Sequence, residues 1–291
     1  MTNLNPVFVI PIYKEPSLFT SQERMSLINN LGKLSCYKVV LLSHPKLESG
    51  IVDFVACNID IALQEGLEII YIASHHLSSV FSYDRLLKSS KFYLIFSSFS
   101  HLVIVQLDVW IFGTNIETWL ALPYAQIGAP WLGLKGEELS MIGVGNGGLS
   151  IRNISIVIRL LESSRSALTF NSIRRGLCLM HGIDQDAIGP SHGLKALSKV
   201  NILLMLISLF PILRSKHIFK RVFLEDYYLA CLAESNPDIT PSLPSLDEAA
   251  SFSFESFPAQ LYAKIGRLPF GCHAFEKHDI SFWKGHIEGL K

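Results

Sequence analysis

The first hundred residues alternate between short apolar runs and longer stretches with helical spacing. Four runs, rich in valine, isoleucine and leucine, have the length of buried strands: they occupy residues 6–13, 38–43, 67–73 and 101–106. Residues 20–31 begin with a threonine–glutamate pattern that caps helices, and residues 83–96 form a second helical stretch. Strands that alternate with helices predict an α/β fold, with a mostly parallel central sheet flanked by helices.

The composition limits the possible partners and the compartment. Lysine plus arginine and aspartate plus glutamate both number 25, so no overall field attracts nucleic acid. The amino terminus lacks the basic and apolar regions of a secretory signal. The chain has five widely spaced cysteines and no CxxC motif: Cys36, Cys57, Cys178, Cys231 and Cys272. This pattern argues against a disulfide framework and against a zinc cluster, and it favours a reducing cytoplasm.

One segment concentrates much of the chain's high mean hydropathy of +0.34. Residues 200–213 are almost wholly apolar, but the run is shorter than the ~20 residues that span a bilayer, and Asn201 and Pro211 interrupt it. Lysines and arginines flank it, and no acid occurs between Asp186 and Glu225. Two interpretations remain open, a buried helix or an apolar helix lying on an anionic membrane surface.

Asp108 is a single acid that follows the fourth apolar run and precedes another. A buried carboxylate is unfavourable unless a cation or hydrogen-bond donors meet it. The side chain either caps the next turn or binds a ligand. Residues 11–14 and 43–45 also follow predicted strands. Because the carboxyl ends of parallel strands meet at one edge, where ligands bind, we expect these segments to converge and favour a ligand-binding role for Asp108.

Residues 142–152 form a glycine-rich segment in which Gly143, Gly145 and Gly148 match the GxGxxG pattern. The segment lies far from the first strand–helix unit and precedes the strand-like residues 149–151, so we reject a dinucleotide fingerprint. The glycines and Asn146 instead predict a loop whose backbone approaches a ligand and offers N–H donors to it. A tight hairpin is the alternative.

Several further motifs occur in a recognisable order. They are VIPIY (9–13), YDRLL (83–87) with FY (92–93), QLDVWIF (106–112), IGAPW (127–131), GNGGLSIR (145–152), ED (225–226), FSFE (252–255) and PFGCHAF (269–275). Together they resemble a poorly characterised bacterial and fungal family of glycosyltransferase-like proteins of the GT-A type. That family resembles galactofuranosyl- and other sugar-transferring domains that build bacterial surface polysaccharides.

The resemblance implies one GT-A-like domain over residues 1–291. Its donor-binding part covers residues 1–152, an apolar-basic helical insertion residues 153–224, and the acceptor and catalytic part residues 225–291. From the cysteine usage and the apolar-basic segment, we also expect a cytoplasmic protein at the inner face of the membrane, with peripheral contact between residues 195–221 and anionic lipid. No nucleic acid partner is expected.

The activity implied is transfer, with inversion, from a nucleotide-diphosphate sugar to a glycan or lipid-linked acceptor in bacterial surface polysaccharide synthesis. A UDP-sugar is the favoured donor. Two alternatives remain. One is a catalytically silent GT-A-like domain that binds a glycan or serves as a scaffold, and the other is a nucleotide-sugar hydrolase.

Enzymes of this type place an Asp-x-Asp triplet after a central strand to bind Mn²⁺ or Mg²⁺. The triplet here is Gln106-Leu107-Asp108, in which the last position keeps its acid. The resemblance implies Asp108 and His273 as metal ligands, although such a histidine can also be an ordinary packed residue. Asp184-Gln185-Asp186 is a literal Asp-x-Asp, but no clear strand leads into it.

The remaining expected roles divide into three groups. Asp226 or Glu225 is the candidate base that deprotonates the acceptor, the alternative being an acidic pair stabilised by a helix N-terminus. The predicted donor-binding residues are Pro11, Tyr13, Arg85, Gln106, Asp108, Asn146, Gly147, Gly148 and Arg152. The predicted acceptor-binding residues are Trp131 and Phe275, with Trp110 as another ring that could stack on a sugar.

Overall fold

A computed structural model of the chain describes residues 4–64, 66–135, 138–180, 194–241 and 243–290. The strands are β1 (Pro6–Pro11), β2 (Lys38–Ser43), β3 (Leu67–Tyr71), β4 (His101–Val105), β5 (Val109–Ile111), β6 (Gln126–Gly128), β7 (Pro130–Lys135), β8 (Glu138–Val144), β9 (Leu149–Asn153), β10 (Ser253–Phe254) and β11 (Gly271–His273).

Helices occupy much of the remaining described chain. They are α1 (Ser21–Lys33), α2 (Glu48–Asn58), α3 (Ile61–Gln64), α4 (Val80–Leu87), α5 (Ser90–Leu94), α6 (Glu117–Leu120), α7 (Ile154–Glu162), α8 (Phe170–Met180), α9 (Leu194–Leu209), α10 (Lys216–Val222), α11 (Glu225–Ser235), α12 (Leu246–Phe252), α13 (Pro258–Ile265) and α14 (Ile280–Lys284).

The central sheet has the strand order β3-β2-β1-β4-β9-β6. Neighbouring strands from β3 to β4 are parallel, whereas β9 runs antiparallel to both β4 and β6. Both faces of the sheet are buried: Val7 and Val9 pack into one hydrophobic cluster, and Phe8 and Ile10 into another. The predicted α/β fold with a mostly parallel central sheet and flanking helices is confirmed.

The first strand–helix–strand unit follows the sequence pattern closely. The strand predicted at residues 38–43 is β2, and α1 covers most of the helix predicted at residues 20–31. The Thr20 side chain accepts a hydrogen bond from the Glu23 N–H, and the Glu23 carboxylate accepts one from the Thr20 N–H at 2.8 Å. This capping box pairs two backbone donors that the helix would leave free.

The single helix predicted over residues 83–96 is wrong, because the chain forms α4 and α5 with a break between them. Ser89 has an extended backbone at the break. The side chain of Lys88 is buried, pairs with Asp84 at 2.7 Å and donates to the Lys220 and Phe223 carbonyl oxygens. These contacts compensate the buried ammonium and join α4 to the segment around α10.

Residues 249–255, in which serine and phenylalanine alternate, predict a strand from their sequence, and this prediction is also wrong over most of its length. The Ser245 side chain accepts a hydrogen bond from the Glu248 N–H, while the Glu248 carboxylate accepts from the Ser245 N–H. This second capping box begins α12, which extends to Phe252 and leaves Ser253 and Phe254 to form β10. The local cap therefore outweighs the alternation of serine and phenylalanine.

A smaller sheet brings the C-terminal part of the chain to the central strands. Its order is β10-β11-β5, and β11 pairs antiparallel with β5. In this register His273 lies opposite Val109, the residue that follows Asp108. The short strand β11 thereby places His273 beside the carboxyl end of β4.

The apolar-basic segment forms α9, the short 3-10 helix Pro211–Arg214 and α10. Leu204 and Ile207 of α9 are buried, whereas Ile202, Met205 and Leu209 are more than half exposed. Part of α9 is therefore packed against the core and part faces outward, so the segment is not a fully buried helix. Among the helices of the described residues, none is both long and apolar enough to cross a bilayer.

Candidate functional site

A cavity of about 820 Å³ opens at the carboxyl ends of the central strands. Because β2, β1 and β4 are parallel neighbours, the residues that follow them reach one edge of the sheet. Pro11, Tyr13, His44, Gln106 and Asp108 line this cavity, which we call the edge cavity. The predicted convergence of residues 11–14, 43–45 and Asp108 is therefore confirmed.

Basic and hydroxyl side chains make up much of the rest of this wall: Lys46, Ser74, His75, Ser78, Ser79, Tyr83 and Lys277. Asp108 is the one acid among the lining residues that the structure describes. The Tyr83 hydroxyl and the His44 Nδ1 atom are buried without a hydrogen-bond partner in the described part of the chain. Buried polar atoms without a partner are usually satisfied by a polar ligand or by water. The two lysines in the lining favour an anionic ligand.

The Asp108 side chain is held by two cationic groups. Its Oδ1 atom lies 3.3 Å from His273 Nε2, and its Oδ2 atom accepts a hydrogen bond from Lys277 Nζ at 3.0 Å. Burial alone would raise the pKa of Asp108, but the hydrogen bonds and charges of His273 and Lys277 outweigh burial and hold the pKa well below its usual value. Asp108 is therefore ionised at neutral pH.

His273 joins Asp108 to the glycine-rich loop. Its Nδ1 atom lies 3.1 Å from Glu255 Oε1, and the other carboxylate oxygen of Glu255 accepts a hydrogen bond from the Asn146 amide. Burial would lower the pKa of His273, but its bonds to Asp108 and Glu255 raise it to about 9. A carboxylate on one imidazole nitrogen fixes the ring and leaves the other nitrogen directed at Asp108, as in many metal-binding histidines.

The glycine-rich loop reaches the same edge because β9 is reversed. The loop precedes an antiparallel strand, so it lies where the parallel strands end. Gly145 has a φ of 115°, a conformation that favours glycine. A Cβ atom on Gly148 would stand 2.2 Å from His273 Nε2, and one on Gly147 would stand 2.7 Å from Glu225 Oε1. The backbone of the glycine-rich loop therefore lies close to the side chains of His273 and Glu225.

Replacing Gly148 with alanine should destabilise the protein by about 1–3 kcal/mol, the usual cost of overpacking. The added methyl group would meet three ring atoms of His273 within 2.4 Å. Gly32→Ala is the matched control, because a Cβ atom there meets nothing within 4 Å. Urea unfolding should show a loss for Gly148→Ala alone, and equal midpoints for the two variants would contradict this packing.

Arg152 and Glu225 form a buried ion pair beside this loop. Arg152 is fully buried, its Nη2 atom pairs with Glu225, and its Nη1 atom donates to the Tyr93 hydroxyl at 2.9 Å. Burial would lower the pKa of Arg152, but Tyr93 and Glu225 outweigh it and raise the pKa above its usual value. The structure does not bring Arg152 to the edge cavity, where it was expected to contact a donor.

Asp226 is the second acid in the first turn of α11 and is also buried. Its Oδ1 atom accepts a hydrogen bond from the Tyr227 N–H at 2.8 Å. Burial, followed by the negative charge of Glu225, raises the pKa of Asp226 well above its usual value. The two adjacent acids thus have different surroundings, because Glu225 pairs with Arg152 whereas Asp226 lies in the field of Glu225.

The aromatic candidates are placed differently from one another. Trp131 is half-buried and packs on Tyr227, the residue after Asp226 in the sequence, with their ring centroids 4.6 Å apart. Phe275 and Trp110 pack edge to face in a hydrophobic cluster, and Phe275 is fully buried. The structure therefore leaves Trp131, but not Phe275, open to an acceptor.

Arg85 is exposed on α4 and lines two neighbouring clefts instead of the edge cavity. Residues that sequence reasoning missed include Lys46, Lys277 and Glu255. A signal existed for Glu255, which belongs to the FSFE motif, but nothing in the sequence linked it to His273. Asp184-Gln185-Asp186 lies outside the described residues.

Comparisons with known proteins give a family and a set of distant structural likenesses. The family model described as "Protein of unknown function (DUF5672)" matches residues 66–273. No curated protein matches the chain.

Similar solved structures include apo mouse xyloside xylosyltransferase 1, at 10% identity and a TM-score of 0.47, covering 93% of this chain and 97% of that one. Apo glycosyltransferase GlyE of Streptococcus pneumoniae TIGR4 has 15% identity and a TM-score of 0.39, with 93% and 54% covered, so the chain spans about half of that protein. The 4-diphosphocytidyl-2C-methyl-D-erythritol synthase of Anaerococcus prevotii DSM 20548 has 10% identity and a TM-score of 0.34, with 69% and 96% covered.

Proposed function

Because this chain belongs to DUF5672, a family of proteins of unknown function, we propose a function from its own site: transfer of a sugar from a nucleotide-diphosphate sugar to an acceptor hydroxyl. A UDP-sugar is the favoured donor, and the acceptor is a glycan or lipid-linked glycan of bacterial surface polysaccharide synthesis. The motif resemblance to GT-A-type proteins supports the reaction class.

The observation that carries this proposal is the position of Asp108. It lies at the carboxyl end of a central strand, faces His273 and borders a cavity with basic walls. A cavity of about 820 Å³ is within the usual range for small-molecule sites. Tyr13, which is 47% exposed at its rim, offers a ring for stacking on the nucleobase. Lys46 and Lys277 supply positive charge for the diphosphate.

The residues around Asp108 suit a cation that takes most of its ligands from the donor. Within the described residues no three His, Cys, Asp or Glu side chains form a metal-binding group. Asp108 and His273 face one another, however, and Glu255 orients the imidazole from its other side. We assign Asp108 and His273 as ligands of Mn²⁺ or Mg²⁺, with Glu255 as the positioning residue. Such a cation would offset charge on the departing diphosphate.

We assign the base to Asp226, since Glu225 is engaged by Arg152. The Asp226 carboxylate would accept the proton of the acceptor hydroxyl while the hydroxyl oxygen bonds to the anomeric carbon of the donor sugar. The bond between that carbon and the diphosphate oxygen breaks on the opposite face, and the nucleoside diphosphate leaves with the electron pair. A raised pKa makes Asp226 a stronger base than an ordinary aspartate. Trp131 and Tyr227 provide rings on which an acceptor sugar can pack.

Calorimetric titration of UDP, with and without Mn²⁺, tests the proposal. We expect binding that requires Mn²⁺ and falls at least about tenfold in Asp108→Ala, because the carboxylate that holds the cation is lost. Asp238→Ala is the matched control, since this aspartate is 85% exposed and does not line the edge cavity. Absence of UDP binding under both conditions, or equal affinity in the two variants, would contradict the proposal.

A catalytically silent domain is the second candidate, favoured by Gln106 at the first position of the acid triplet. Gln106 lines the edge cavity but is a poor ligand for a hard cation. Glycan binding without nucleotide binding would support the silent domain. Release of sugar from the donor into water, at a rate that no acceptor alters, would instead support a hydrolase.

The proposal also covers location. A lipid-linked acceptor would be met at the inner face of the membrane, with residues 195–221 in peripheral contact with anionic lipid. The basic residues along this segment support that contact.

A further inference from the structure

Apolar side chains remain exposed at the start of α4 and along the segment from α9 to α10. Val80 and Phe81 at the start of α4 are each 73% exposed. The other members lie on α9, the 3-10 helix after it and α10: Ile202, Leu203, Met205, Leu206, Leu209, Phe210, Ile212, Ile218 and Val222. Isolated exposed apolar residues are ordinary, but so many between residues 202 and 222 indicate an interaction surface, and Phe81 of α4 borders a cleft that α10 also lines. We call this set the apolar surface.

A cleft of about 580 Å³ adjoins these residues between α4 and α10. Phe81 and Arg85 line one side, and His217, Lys220 and Arg221 line the other. Asp84 is the acid among its lining residues, and its carboxylate already pairs with Lys88. The cleft therefore carries an excess of positive charge, and we call it the basic cleft.

Lys88 connects the two sides of the basic cleft through its side chain. From the C-terminal end of α4 its ammonium group bonds to Asp84 and to the carbonyl oxygens of Lys220 and Phe223. Because the Lys88 side chain is 2% exposed, the contact is shielded from water and salt. The apolar tip of α4 is thus held beside the basic residues of α10.

The basic cleft lies next to the edge cavity. Val80 lines the edge cavity, whereas its neighbour Phe81 lines the basic cleft. The first turn of α4 therefore separates the proposed donor site from the basic cleft. A surface that docks here would lie next to the place where sugar transfer is proposed.

We propose that the apolar surface and the basic cleft together dock the protein on an anionic phospholipid membrane. The exposed apolar side chains enter the interfacial region, while Arg85, Lys220 and Arg221 contact lipid phosphates in and around the cleft. This docking extends the contact proposed for residues 195–221 to α4. It rests on the membrane location given above and is independent of sugar transfer.

The charge pattern favours lipid over a protein partner or a second copy of the chain. Six lysines and arginines and no acids occur from residue 194 to residue 224: Lys195, Lys199, Arg214, Lys216, Lys220 and Arg221. Two copies meeting through this basic segment would repel each other, whereas anionic headgroups attract it. Exposed leucine, isoleucine and phenylalanine beside basic groups are typical of helices that lie in a membrane interface.

Co-sedimentation of the full chain with vesicles tests this inference without any donor. We expect binding to vesicles of phosphatidylglycerol and phosphatidylcholine, and little binding to phosphatidylcholine alone. Arg85→Ala/Arg221→Ala, which removes one cation from α4 and one from α10, should weaken the partition about 30-fold, and Leu209→Ser/Phe210→Ser/Ile212→Ser more than about 100-fold. All five side chains are substantially exposed, so these variants should keep the thermal midpoint.

Two controls match these changes in type and exposure. Lys264→Ala/Arg267→Ala removes two exposed cations elsewhere, and Ile61→Ser removes an apolar side chain that is 79% exposed. Both should bind vesicles like the unchanged chain. Docking is overturned if the unchanged chain ignores anionic vesicles, if the surface variants bind normally, or if light scattering shows that those variants instead dissociate a dimer. Loss of UDP binding with vesicle binding intact would overturn the proposed sugar transfer alone.

Discussion

Asp226→Asn should lower the turnover number for sugar transfer by about 10²–10⁴-fold, the usual contribution of a general base. The amide has nearly the shape of the carboxyl group but cannot take the acceptor's proton. Because burial and Glu225 raise the pKa of Asp226, a neutral group suits this position and the fold should tolerate it. UDP affinity in the presence of Mn²⁺ should stay within about twofold, since Asp226 lies outside the edge cavity.

The pH dependence separates a base from a merely structural aspartate. In the unchanged enzyme the rate should rise with pH through the raised pKa of Asp226, because only the ionised carboxylate accepts a proton. That acidic limb should disappear in Asp226→Asn. Asp238→Asn should keep both the rate and the limb. Full turnover in Asp226→Asn, or a loss of UDP binding equal to the loss of turnover, would contradict the assignment.

Arg152→Met should cost about 3–5 kcal/mol of the free energy of unfolding, because it leaves the Glu225 carboxylate buried without its cation. Arg152 is fully buried and Glu225 nearly so, so little water reaches the pair. Adding Glu225→Gln to Arg152→Met should recover part of the loss, since the unpaired charge is removed. Urea unfolding of the single and double variants measures both effects.

Arg165→Met is the control for this pair. Arg165 lies 3.5 Å from Asp238 at the surface, where an ion pair contributes at most about 1 kcal/mol. If Arg152→Met and Arg165→Met unfold at the same urea concentration, the buried pair does not stabilise the protein as argued. If the double variant is less stable than Arg152→Met, unpaired charge is not the cause of the loss.

Local patterns in the sequence predicted much of the central sheet. Buried parallel strands are continuous apolar runs, which is why residues 38–43 were predicted with their observed bounds. The capping box at Thr20 marked a helix start by residue type alone. The failures have local causes too. A buried lysine accompanies the break between α4 and α5, and the Ser245 capping box converts an alternating segment into α12.

Local patterns alone predicted the candidate site only where it depends on strand ends, whereas His273, Glu225 and Asp226 were expected from the resemblance to GT-A-type proteins. The carboxyl ends of neighbouring parallel strands lie at one edge of a sheet, which can be predicted without knowing any contact between distant residues. This rule brings together Pro11, Tyr13, Gln106 and Asp108. The partners of Asp108 come from a strand that pairs with β5 from far along the chain. No periodicity links Glu255 with His273 or Glu225 with Arg152. These two pairings therefore became visible only in the tertiary structure.

The pairing of β11 with β5 also determines when the site can form during synthesis. Asp108 and Lys277 are 169 positions apart in the chain, and contacts of such long range form slowly because a large loop must close. A nascent chain that has emerged only as far as β9 already contains the strands of the central sheet and the glycine-rich loop. It still lacks Glu255, His273 and Lys277. Completion of the site thus follows release of the last part of this sequence from the ribosome.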